Sequence, residues 1–159
     1  MHIFGVASAG GSDLVDDPPF LVPEGVKDHV ESYTETLPIN IDARELRIWG
    51  FVPHMHLAGT AIKMSRTSSD GEEDCLFDVP RWDYNWQQLY VYDGDFKSLP
   101  RLAGEDSLQV SCTMDNTDGN PFLQEYLGGA VKGGVKLGES TEDEMCLVAI
   151  GLACEGLCP

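Results

Sequence analysis

Ser107–Thr113 reads SLQVSCT, and its alternation decides the fold class. Leu108, Val110 and Cys112 occupy every second position with polar residues between them, the period of a strand with one face buried and one wetted. Outward from this segment the chain offers more short apolar stretches of the same length. Glu45–Phe51 (ELRIWGF), Thr60–Ser65, Cys75–Val79, Gln88–Tyr92 (QLYVY) and Cys146–Leu152 (CLVAIGL) are strand-like and separated by turn residues such as Pro53 and Ser68-Ser69-Asp70-Gly71. No window shows an apolar stripe of period 3.6 over three turns. Many short strands with Gly and Pro punctuation predict an all-β protein, an antiparallel jelly-roll β-sandwich. Residues 115–140 read as loop, with Gly128-Gly129 and Gly133-Gly134 inside it. Residues 1–19 are rich in Gly, Ser, Asp and Pro and end on Asp16-Asp17-Pro18-Pro19, so they read as a flexible N-terminal arm before a folded domain over 20–159.

The composition limits what such a domain can do. The 159 residues suit one domain with its own core, and 42% hydrophobic residues are those of a globular chain. Lys+Arg 10 against Asp+Glu 27 leaves a net charge of −17, which repels phosphate backbones and anionic lipid and tolerates cations. No apolar run is long enough to span a membrane. The N-terminus lacks a basic segment followed by an apolar one, so no signal peptide is expected within the chain. The five cysteines form no CxxC pair. They read either as buried thiols or as disulfides of an exported protein, with Cys75 the candidate for the odd thiol.

The chemistry-bearing motif is His54-Met55-His56. On an extended segment, residues i and i+2 point the same way, so two imidazoles stand about 6–7 Å apart and can converge on one metal ion. Neutral imidazole suits copper, zinc, iron and nickel. No histidine follows His56, and His2 and His29 lie in segments expected to be exposed. A further ligand therefore has to be a carboxylate, a thiolate, a thioether or one of that upstream pair. Glu139–Cys146 (ESTEDEMC) offers Met145 at the head of an apolar strand. That thioether either fills core or joins the imidazoles, and in the second case it selects copper, particularly Cu(I). The run Glu142–Glu144 reads as a solvated turn whose charge favours a cation. Trp82, Tyr84, Trp86, Tyr90 and Tyr92 read chiefly as packing, while Asp83, Gln87 and Trp86 are possible pocket residues.

HMHLAG (54–59) followed by GESTEDEMC (138–146) resembles the C-terminal copper domain of the copper type II, ascorbate-dependent monooxygenases, the family of the peptidylglycine α-hydroxylating and dopamine β-hydroxylating enzymes. FDVPRWDYNWQQLYVY (77–92) and SLQVSCTMDNT (107–117) resemble bacterial members, and the likeness spans about residues 20–152. The resemblance implies a jelly-roll sandwich and copper held by His54, His56 and Met145, with no catalytic residue beyond these ligands. It implies a Cys112–Cys146 disulfide, and a Cu(I) centre that activates O2 to hydroxylate an unactivated C–H bond of a small molecule or peptide, with ascorbate supplying electrons. Family enzymes carry a second, electron-transfer copper on three histidines. His2 and His29 cannot build it, so that domain is expected upstream or in trans. Where peptide-amidating members place a basic residue and a tyrosine near the site, this chain has Val52 and Ala149, so a peptide ending in glycine is not the expected substrate. Copper and disulfides imply a secreted, periplasmic or cell-surface protein. The alternative is a non-enzymatic copper module that uses the same ligands for storage, transfer or scaffolding.

Overall fold

The strand read from SLQVSCT is present. The structure, a computed structural model, describes residues 20–38 and 46–154 together with the backbone of residues 2–9. Among these the strands are β1 (His2–Ala9), β2 (Leu21–Val22), β3 (His29–Thr36), β4 (Leu46–His54), β5 (Gly59–Thr67), β6 (Glu73–Val79), β7 (Tyr90–Val91), β8 (Arg101–Leu102), β9 (Ser107–Met114), β10 (Val135–Lys136) and β11 (Cys146–Cys154), with one α-helix, α1 (Pro121–Leu127). One sheet runs β1-β11-β4-β7, with β8 also on β4; the other runs β3-β9-β5-β6; β2 and β10 make a small ribbon. All these pairings are antiparallel. The fold is thus all-β, as expected.

Alternation builds the core between the two sheets. β9 turns Leu108, Val110, Cys112 and Met114 inward, β5 adds Ile62 and Met64, and the other sheet contributes Ile48, Phe51, Val148 and Ile150. Phe51 anchors this layer against Phe77, with centroids 4.8 Å apart, and against Tyr92 edge-on at 5.8 Å. Cys112 on β9 and Cys146 on β11 form a disulfide with Cα atoms 5.9 Å apart, clipping one sheet to the other. Cys154 is disulfide-bonded as well, and Cys75 is the free, exposed thiol.

The structure departs from the sequence reading in four places. Residues 2–9, assigned to a flexible arm, form β1 along β11, whose edge would otherwise leave a row of N–H and C=O groups unpaired; residues 10–19 lie outside the described residues. β3 is a strand although its sequence, HVESYTET, is mostly polar; it is a sheet edge, exposed over most of its length, and pairs β9 residue for residue. Within the stretch read as loop, α1 is started by Asn120, whose Oδ1 accepts from Phe122 N and Leu123 N, by Pro121 in its first turn, and is ended by Gly128 in the left-handed region at φ 79°. At seven residues it is too short to show an apolar period. Finally, β4 continues through Pro53 to His54. The missing N–H is tolerated there because the ladder to β7 covers only Gly50 and Phe51.

Candidate metal centre

His54 is the last residue of β4, and the chain then turns through Met55–Ala58 into β5. This turn is buried: Met55, Leu57 and Ala58 are inside, and His56 is 8% exposed. A buried turn needs partners for every backbone polar group. Glu144 supplies the acceptors. Its Oε1 takes the His56 N–H and the Met145 N–H (2.8 Å), and its Oε2 takes Ala58 N–H (3.0 Å) and Gly59 N–H (3.1 Å). The carbonyls are met from the other side. Asn120 Nδ2 donates to Leu57 O at 3.0 Å, and Asp115 N donates to Ala58 O at 2.8 Å. Gly59 closes the turn against Met55, where an added Cβ would lie 2.9 Å from the Met55 Cβ.

Glu144 was missed in the sequence, where it belongs to a run read as solvated. Glu142 is exposed and Asp143 half-buried, but Glu144 is fully buried. Burial pushes its carboxyl up to about 7, against the four backbone N–H groups of His56, Met145, Ala58 and Gly59 that favour the anion. A sequence signal exists in hindsight. In the first half of β11 the buried positions are the even-numbered Cys146, Val148 and Ile150, and Glu144 continues that series.

The two imidazoles are brought together as expected, with ring centroids 5.0 Å apart and planes at 84°. Each is oriented through Nδ1. His56 Nδ1 lies 3.0 Å from the carbonyl oxygen of Asp143, which can only accept, so Nδ1 carries the proton. His54 Nδ1 lies 2.5 Å from Gln87 Oε1, and the Gln87 amide is set by its own Nε2 donating to Tyr84 O at 3.1 Å. The oxygen therefore faces the ring and His54 is also protonated at Nδ1. Both Nε2 atoms are left with a lone pair and no hydrogen-bond partner among the described residues. Protonated Nδ1 on an oxygen acceptor, with Nε2 bare, is the arrangement of metal-ligating histidine.

Met145 is half-buried at the start of β11. Leu147 pairs with His54 at the end of the ladder, and Glu144 Oε1 binds the backbone N–H of both His56 and Met145, which ties the approach to β11 to the histidine turn. Imidazole and thioether ligands together make a soft donor set of the kind that fits Cu(I). Among the described residues no three His, Cys, Asp or Glu side chains form a cluster able to hold a metal ion, at the histidine pair or elsewhere. His29, half-buried on β3, is turned to Glu31 at 2.8 Å.

The aromatic segment divides. Trp82 is buried, Tyr92 donates to Leu76 O, and Tyr84 packs on Phe122 (6.4 Å) and Tyr126 (5.7 Å). Trp86 is 59% exposed beside Gln87, whereas Asp83 turns to the backbone of Asn85. No helix among the described residues is long and apolar enough to cross a membrane. Comparison with curated proteins gives no match. The family model for the copper type II ascorbate-dependent monooxygenase C-terminal domain matches residues 15–151, nearly the full length of the chain. With its two-sheet β fold and its pair of oriented histidines, the chain belongs to the copper type II ascorbate-dependent monooxygenase C-terminal domain family.

Proposed function

We propose that this protein is the oxygen-activating half of an ascorbate-dependent copper monooxygenase, with one copper ion held by His54, His56 and Met145. The observation that carries this reading is the pair of bare Nε2 atoms, each fixed by an acceptor on Nδ1, next to a thioether strand. Copper bound there would supply the reduction of O2 that hydroxylates a C–H bond, giving an alcohol and water, with two electrons and two protons from ascorbate.

The chain's own residues hold the ligands ready. Gln87 and the Asp143 carbonyl set the tautomer and plane of each ring. Glu144 ties the His56 turn to Met145 through backbone donors on both. The Cys112–Cys146 disulfide pins the residue after Met145 to the opposite sheet. A second copper domain, upstream or on another polypeptide, completes electron supply, and the disulfide fits an oxidising compartment: secreted, periplasmic or cell-surface.

The test is Cu(I) competition against a chromogenic chelator, with X-ray absorption on the loaded protein. One Cu(I) per chain with two nitrogen scatterers and one sulfur is expected, and the sulfur should vanish in Met145→Leu. No uptake, or uptake unchanged in His54→Ala, sinks the copper reading. Uptake without hydroxylation of any substrate, given an electron-donor domain and ascorbate, leaves a non-enzymatic copper module.

A further inference from the structure

Outward-facing residues of the first sheet form one apolar face that ends at His54. On β4, Trp49, Val52 and His54 share the side turned from the core while Phe51 and Pro53 point inward. The switch is made by a bulge opposite Gly151, where the Trp49 ring covers the glycine. β7 is in register as Gly50↔Val91 and Phe51↔Tyr90, and the segment just before it is tied to the end of β4 by the Gln87–His54 hydrogen bond. Leu89 and Val91 lean over Gly50, where an added Cβ would meet them at 3.5 and 3.3 Å. On the other flank Leu147 and Ala149, both half-buried, stand opposite His54 and Val52.

Val52 is 40% exposed, Leu89 53% and Val91 62%, so this face is an apolar strip open to solvent. Its described residues between Trp49 and His54 carry no cationic side chain. Arg47, farther along β4, donates to Leu99 O and lies over the Phe96 ring. What covers the strip follows from where it ends. A molecule that presents a C–H bond to the imidazoles can lay its remainder against the exposed Val52 and Leu89.

We infer that the substrate of the His54–His56 centre is a molecule with an extended apolar body and no negative charge, lying on the sheet face from Trp49 past Val52 and Leu89 to His54. At about 3.3 Å per residue the strip is on the order of 15 Å long, the span of a medium alkyl or aryl-alkyl chain. An anionic substrate finds no cation there, in a protein of net charge −17. The reactive end of this inference rests on the copper reading; binding of the apolar body does not.

The experiment uses the metal-free full chain, 4-phenyl-1-butanol as the uncharged probe and 4-phenylbutyrate as its anionic counterpart, followed by methyl NMR shifts. The alcohol should saturably shift the methyls of Val52, Leu89, Val91, Leu147 and Ala149, and the carboxylate should bind about tenfold more weakly or worse. Val52→Asp and Leu89→Asp, both at exposed positions, should each weaken the alcohol about tenfold. Val30→Asp, 56% exposed on β3 in the other sheet, should leave it unchanged. Equal binding of the two probes, shifts centred on Tyr126 and Leu127 instead, or strip shifts that grow with protein concentration without probe would overturn the inference. The last result would make the strip a contact between two copies. Probe binding as expected with no Cu(I) uptake sinks the copper reading and leaves the apolar site standing. Cu(I) uptake with no probe binding does the reverse.

Discussion

Replacing Glu144 by alanine in the metal-free protein removes the acceptor of four buried N–H groups, on His56, Ala58, Gly59 and Met145. The vacated space is polar, so a water can enter and satisfy about two of them. The two left over cost about 1–3 kcal/mol each, so Glu144→Ala should lose about 2–6 kcal/mol where the side chain is neutral, at pH 5 and below. That is a large part of the 5–15 kcal/mol typical of a domain. Charge works the other way. The folded carboxyl is raised from 4.5 to about 7, so its contribution is fully present below pH 4.5 and is lost as pH rises through 7. At about 1.4 kcal/mol per pH unit the loss is about 3 kcal/mol. The destabilisation by Glu144→Ala should therefore shrink by about that amount between pH 4.5 and pH 8.5. Urea unfolding of both proteins across this range measures it, and the difference between them cancels the repulsion common to both chains. Hydrogen exchange adds the local reading: protection at residues 56, 58, 59 and 145 should fall first. A penalty below about 0.5 kcal/mol at pH 5, or one that does not change with pH, would refute the reasoning.

Other perturbations separate the parts of the site. Gln87→Ala should weaken Cu(I) binding about 10–100-fold with no change in melting temperature, because the residue is exposed and orients His54; Gln87→Glu, which keeps an acceptor, should restore affinity in the chelator competition. The double variant Cys112→Ala, Cys146→Ala should lose about 3–4 kcal/mol in urea, the chain-entropy value for a closed loop of 34 residues. Gly59→Ala should cost about 1–3 kcal/mol by thermal unfolding, because the new methyl must displace the stem of Met55.

Much of the framework was legible because its physics is local. The period of two in SLQVSCT identified β9 and its inward Cys112, and the two histidines of HMH do lie together, although the strand ends at His54 and a turn carries His56. Segments without a strong apolar alternation escaped: β3 is a polar edge, and α1 depends on an Asn-Pro start and a Gly stop within seven residues. The pocket candidates also diverged for a reason the chain order hides. Gln87, in the segment leading into β7, reaches His54 with its side chain, while its neighbour Trp86 stays in solvent.

By itself the sequence determined the all-β class, the placement of His54 and His56 side by side, and the resemblance that points to copper, because alternation and motif spacing are properties of neighbouring residues. Only the tertiary structure decided which way Glu144 faces, which atoms hold the imidazole rings, and that an apolar strip leads up to them. An acidic run next to a strand looks the same in sequence whether it meets water or a buried turn. The burial of that turn from elsewhere in the chain, with three N–H groups in need of an acceptor, makes the difference.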